Sequence, residues 1–227
     1  MKLSETTITV LKNFAQINPT LLIIPGNKIT TMAPSESVLV TADFGGELDI
    51  PSRGAIFDLN RFIATLSLFE DPDVDFTDTY VNVSKGKKAV KYTFAAENMI
   101  IVPKDASKLK FPEISVELNL TWDELTAALR ASAILGSPEI AIRGRDGEIF
   151  IVAQDSANPS ADTYESPIGV TDKEFTFIFK KDNLKLLNLD YAVKITSKGI
   201  ADFVSTNTEG PKMQYYVAVE ANSSITE

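Results

Sequence analysis

The spacing of hydrophobic positions along the chain switches between helical and alternating periods, and each switch marks an element. In residues 5–17, Ile8, Leu11, Phe14 and Ala15 recur at helical spacing, with Val10 and Ile17 at the margin. Glu5, Thr9, Lys12, Asn13 and Gln16 fall on the opposite face. Ser4 or Thr6 can cap this helix, and Pro19 follows its end. Residues 21–24, 28–33, 38–44 and 47–51 then read as strands, the first two joined by a turn at Pro25-Gly26-Asn27. Asp58 caps a second predicted helix with an apolar stripe of Leu59, Phe62, Ile63, Leu66 and Phe69. Strands are predicted at 74–77, 80–83, 89–95 and 99–102, with a turn at Lys85-Gly86-Lys87.

A stretch bracketed by prolines and studded with lysines interrupts the pattern at 103–118. Lys104, Lys108 and Lys110 alternate with Asp105, Ser107 and Glu113, and Pro103 and Pro112 disfavour a continuous helix, so it reads as an extended connector. The same series then begins again. Thr121-Trp122-Asp123-Glu124 has the form of a capping box, opening a helix that buries Trp122, Leu125, Ala128 and Leu129 and ends near Gly136. A hairpin at 139–143 and 148–153 turns at Asp146-Gly147, and a polar loop follows at 156–160. Residues 174–179 alternate as a strand, and Asp182 caps a short fourth predicted helix through Leu184 and Leu187. Strands at 191–196, 200–205 and 214–221, with a turn at Lys198-Gly199, complete the half before a tail at 223–227. Gly26 matches Gly147, Gly86 matches Gly199, and residues 56–66 match 177–187. A whole series recurring in order is a duplication. It predicts an α+β chain of two similar domains, each with two helices on antiparallel sheets: 1–103, a connector at 104–118, and 119–227.

Composition narrows the chemistry. With 227 residues, 44% hydrophobic and 23% charged, the chain suits one large domain or two small ones. No apolar run approaches the roughly 18 residues that span a bilayer, and Met1-Lys2-Leu3-Ser4-Glu5 lacks a signal-peptide layout, so no membrane association is expected. There is no cysteine, which suits a reducing cytoplasm, and no histidine, which removes the commonest general base. Together these exclude Cys/His zinc sites and thiol nucleophiles. Carboxylate chemistry stays open, but no pair is nominated, and neither an enzyme nor a cofactor is expected. Asp71-Pro72-Asp73-Val74-Asp75 superficially resembles a calcium loop, yet it lacks the sixth-position glycine, and Asn82 stands where the bidentate glutamate belongs. It reads as a solvated acidic hairpin end. The formal charge of −9 opposes phosphate binding unless charges are segregated. Segregation is what the pattern offers. The helix faces carry Lys12, Arg61, Arg130 and Lys185 among small neutral residues, while acids crowd the strand and turn regions around Glu36 to Asp49 and Glu70 to Asp78. Taken alone, those faces read first as the ordinary solvated sides of helices.

The chain resembles the polymerase sliding clamps (processivity factors) of T-even-type bacteriophages. The likeness is carried by Met1-Lys2-Leu3-Ser4, Leu11-Lys12-Asn13-Phe14-Ala15, Ile17-Asn18, Asp58-Leu59-Asn60 with Phe62, Leu66-Ser67-Leu68, Tyr216-Val217-Ala218 and Glu220-Ala221. The resemblance implies the DNA-clamp fold, with three two-domain chains closing a pseudo-six-fold ring around duplex DNA. It implies a replicative DNA polymerase whose C-terminal peptide docks on the ring, a clamp-loader ATPase that opens it, and work in the cytoplasm of an infected bacterium. On that reading Lys12, Arg61, Arg130 and Lys185 face DNA. Phe111, Pro112 and Ile114 form one wall of a partner-peptide groove and Tyr216 and Ala218 the other, unless these residues merely pack the connector onto its own domain. The alternatives are a viral structural or assembly protein that oligomerises through sheet edges without DNA, and an open monomeric processivity factor.

Overall fold

Local capping chemistry starts each α-helix of the computed structural model, which describes residues 1–103 and 111–226. The predicted connector cations Lys104, Lys108 and Lys110 lie outside the described residues. The chain divides into two compact units, residues 1–109 with 208–213 and residues 110–207 with 214–227.

In the first unit, helix α1 (Glu5–Ile17) begins where Ser4 Oγ accepts the Thr7 N–H at 3.1 Å. Its buried face is Val10, Leu11, Phe14 and Ile17 together with Thr7 and Asn13, while Ile8 and Ala15 are only half-buried. The stripe is therefore turned from the predicted one, because α1 packs against a second helix and a strand pair at once. Each fully buried side chain of the size of Phe14 or Leu11 contributes about 1.5–3 kcal/mol. Strand β1 (Leu21–Ile23) pairs with β4 (Gly54–Ile56), and β2 (Lys28–Met32) with β3 (Val38–Asp43), all antiparallel. At Gly54 the ring of Phe94 lies 2.3 Å from where a Cβ would sit, so only glycine admits that aromatic lid. Helix α2 (Leu59–Leu66) starts at Asp58, whose Oδ1 accepts the Arg61 N–H at 2.9 Å. Strands β5 (Asp73–Phe76), β6 (Tyr80–Lys85) and β7 (Lys88–Thr93) form a meander. The predicted strand at 47–51 reduces to one bridge, Ile50 to Gly26. The predicted strand at 99–102 is replaced by a 3-10 turn at Glu97–Met99 and irregular chain. Met99 and Val102 there are 58% and 46% exposed, so no buried face exists to hold a strand.

The second unit opens on β8 (Val116–Leu120), so residues 116–118 of the predicted connector are strand. Helix α3 (Trp122–Leu135) has the full capping box: Thr121 Oγ1 accepts the Glu124 N–H, and Glu124 Oε2 accepts the Thr121 N–H at 2.8 Å. Gly136, at φ 70°, ends it. Helix α3 packs on β9 (Glu139–Arg145), β10 (Glu148–Gln154) and β11 (Tyr164–Val170). With β12 (Phe175–Lys180) and β16 (Ser224–Ile225) these make a five-stranded antiparallel sheet ordered β11-β10-β9-β12-β16. Strands β13 (Tyr191–Ile195), β14 (Ile200–Ser205) and β15 (Lys212–Ala218) continue from β8, each pairing antiparallel with the next in the order β8-β13-β14-β15. Edge-to-face contacts join Phe203 to Phe179 and Tyr191, and Tyr191 to Tyr215, in the core.

The predicted fourth helix is corrected. Asp182 lies inside a 3-10 turn, Lys181–Asn183, and the chain beyond it is irregular. Leu187 shows why. Its N–H donates to Tyr215 Oη at 3.1 Å and its C=O accepts the Tyr191 hydroxyl at 2.7 Å, so two buried tyrosines take the groups a helix would pair. Leu184 and Leu186 are the buried leucines, two residues apart, which is an extended rather than helical spacing.

Candidate nucleic-acid and partner surfaces

Each predicted basic position is exposed. Lys12 and Arg61 stand on α1 and α2 of the first unit, where the two helices pack together. Lys12 borders an open groove of about 860 Å³ whose lining includes Ile8, Thr9, Ile63, Leu66 and Phe69. Arg130 projects from α3 in the second unit, and Lys185 follows the 3-10 turn instead of riding on a helix. No ion pair among the described residues uses Lys12, Arg61 or Arg130, whereas Lys2, Lys28, Arg53 and Arg145 are each bound to a carboxylate. The paired cations hold carboxyls on the strand side. Hydrogen bonding from Lys28 keeps Asp43, and from Arg53 keeps Glu97, below the usual carboxylate range.

The predicted peptide groove divides in two. Phe111 lies on the ring of Tyr216, centroids 5.9 Å apart and planes tilted by 38°, and Ala218 continues the same face of β15. Pro112 beside Phe111 is half-buried. Ile114 instead lines a pocket of about 460 Å³ with Glu113, Ser115, Lys173, Ser197, Lys198, Ile225 and Thr226. Lys173 Nζ donates to Ser115 O at 2.8 Å across its mouth. The turn at Lys198-Gly199 is where the sequence predicts it, but the strand near 224 is absent from the prediction and so is the pocket, because four separate segments build it and none carries a motif.

Beneath Tyr216 lies a polar cluster. Asp202 on β14 is the register partner of Tyr216, Lys194 of Asp202 and Glu117 of Lys194, so one row of side chains crosses the outer face of this sheet. Gln214 Nε2 donates to Asp202 Oδ1 at 3.1 Å and Oδ2 at 3.0 Å, and to Tyr216 Oη at 2.8 Å. Burial raises the Asp202 carboxyl above its ordinary value, against the opposing pull of Gln214 and Lys194. Burial, and then the charge of Asp202, push the Tyr216 hydroxyl up as well.

Two units of antiparallel sheet with few helices have the architecture of the DNA clamps, as the match to solved structures shows. The solved structure of Archaeoglobus fulgidus PCNA bound to the C-terminal region of FEN-1 superposes with a TM-score of 0.71 over 96% of both chains, at 14% identity. Thermococcus kodakaraensis PCNA gives 0.67 over 97% of this chain and 99% of its own. Residues 117–221 match the family model described as gp45 sliding clamp, C terminal. The sliding clamp of Vibrio phage KVP40 is 34% identical over 97% of this chain and 100% of its own length, and that of Escherichia phage RB69 is 31% identical over 99% of each. The chain belongs to the bacteriophage sliding-clamp family.

Proposed function

We propose that three copies of this chain close a ring around duplex DNA, which tethers the replicative polymerase by its C-terminal peptide after a clamp-loader ATPase has opened it. The observation that carries the reading is a pair of dissimilar strand edges, one in each unit. Among the described residues β7 pairs only with β6, and β11 only with β10. Lys88 and Lys91 are exposed along the first edge, and Asp162 and Glu165 at the second. Pairing β7 of one copy with β11 of the next is a heterologous contact, which terminates only by closing. Two units per copy then require three copies for six.

In this ring Lys12, Arg61, Arg130 and Lys185 form a sparse basic wall. Topological linkage replaces affinity, so weak contacts to phosphates suffice and permit sliding. Phe111, Pro112, Tyr216 and Ala218, with Ile114 at the neighbouring pocket, receive the polymerase peptide. The role is non-catalytic, and its setting is the cytoplasm of the infected bacterium. No helix among the described residues is long and apolar enough to cross a membrane.

The test is retention. The protein loaded on nicked circular DNA is expected to stay bound through gel filtration and to leave when the circle is cut. Sedimentation equilibrium at micromolar concentration is expected to give the mass of a trimer. Release from intact circles, or a monomer throughout, would overturn the reading.

A further inference from the structure

The geometry points to Asp202 and Gln214 as positioning residues that turn the Tyr216 hydroxyl into a directed hydrogen-bond donor for a carbonyl or carboxylate on the bound peptide. This rests on the partner groove proposed above and names the chemistry that the groove selects.

The argument is one of hydrogen-bond polarity. An ionised carboxylate only accepts, so Asp202 fixes which end of the Gln214 amide faces it: the NH₂ end. That group has two protons. One is shared by the carboxylate oxygens, and the other is donated to Tyr216 Oη at 2.8 Å. The phenol oxygen is thereby used as an acceptor, and its own proton must go elsewhere. Among the described residues no acceptor receives it. Asp202 is 8% exposed, so its side of the chain is closed to solvent, while Tyr216 is half-buried with its ring under Phe111. The free proton therefore serves the groove side. Lys194 and Glu117, further along the same row, are held towards each other at 3.9 Å and leave the amide to Asp202. An unmatched buried donor rejects a ligand without an acceptor far more strongly than an apolar wall rejects a poor fit.

Calorimetry with a synthetic peptide carrying the C-terminal residues of the phage's replicative polymerase tests this. Tyr216→Phe keeps the ring on Phe111 but removes the donor, and is expected to weaken binding about five- to tenfold. Gln214→Leu is expected to weaken it by a similar factor. The double variant should be no weaker than Tyr216→Phe alone, because both changes remove one bond. Ring-proton NMR of the unliganded ring should show the Tyr216 resonances displaced in Gln214→Leu, a readout that a merely structural role elsewhere in the sheet does not move. If Gln214→Leu fails to fold, Asp202→Asn takes its place: a side chain that can also donate lets the Gln214 amide reverse, and weaker binding is again expected. Parent-like binding by Tyr216→Phe while Phe111→Ala binds poorly would overturn the inference and leave the groove standing. Parent-like binding by both Phe111→Ala and Tyr216→Ala would overturn the groove and the inference together.

Discussion

A carboxylate that is buried without a cationic partner in contact is costly, and Asp202 shows what that cost does to pH dependence. Lys194 is its register neighbour, but its bonds come from the neutral amide of Gln214. Burial raises its folded pKa above the value near 3.9 of an unfolded chain. The folded state then holds the proton more tightly. Its stabilising contribution is complete below the unfolded value and is lost as pH rises through the folded one. Asp202→Asn does not titrate. The stability of the parent relative to this variant is therefore expected to fall as pH rises above the unfolded value and through the raised folded one. Urea unfolding at fixed protein concentration measures it, and a pH-independent difference would refute the assignment. None of this was legible in the sequence. Asp202 stands in an alternating strand whose outward positions are ordinarily solvated, and its burial comes from the aromatic residue across the ladder.

At the scale of elements, caps and turns were legible and the fourth helix was not. Ser4, Asp58 and Thr121 act locally, within three residues, and each caps its helix as read. Gly26, Gly86, Gly147 and Gly199 all adopt positive φ at the turns where they were predicted. Residues 184–189 have leucines enough for a helix, yet their conformation is decided by Tyr191 and Tyr215, whose hydroxyls reach Leu187 from β13 and β15. Long-range bonds of that kind leave no periodic trace. Tyr191→Phe removes the donor to the Leu187 carbonyl and is expected to cost about 1–3 kcal/mol. Chemical denaturation reads this out. A loss below about 0.5 kcal/mol would mean that the segment is held by its leucines alone.

For the whole molecule, the duplication told most, because two units built from a recurring series are visible as order even where single strands are misjudged. The pocket around Ile114, assembled from four segments, was the part that order could not reveal. The proposed basic wall has its own test. Lys12→Glu with Arg130→Glu is expected to reduce loading on circular DNA and processive synthesis about tenfold or more at moderate salt. Trimer mass and thermal unfolding should be preserved, since exposed substitutions usually stay within about 0.5 kcal/mol. Loading equal to the parent across a range of salt would remove the wall from DNA. The open edges of β7 and β11 carry a different consequence, for a copy that has lost its neighbours. Such a copy presents two unsatisfied ladders, and an unsatisfied ladder will pair with any extended chain it meets. Two features restrain this. Pro167, in the middle of β11, has no N–H to offer, and the pairing of β11 with β10 carries a register shift between Ile149 and Phe150. Lys88 and Lys91 guard the other edge with charge. On the proposed assembly, a single copy without neighbours is thus a poor seed for fibrils, and it can wait in a crowded cell for its own kind.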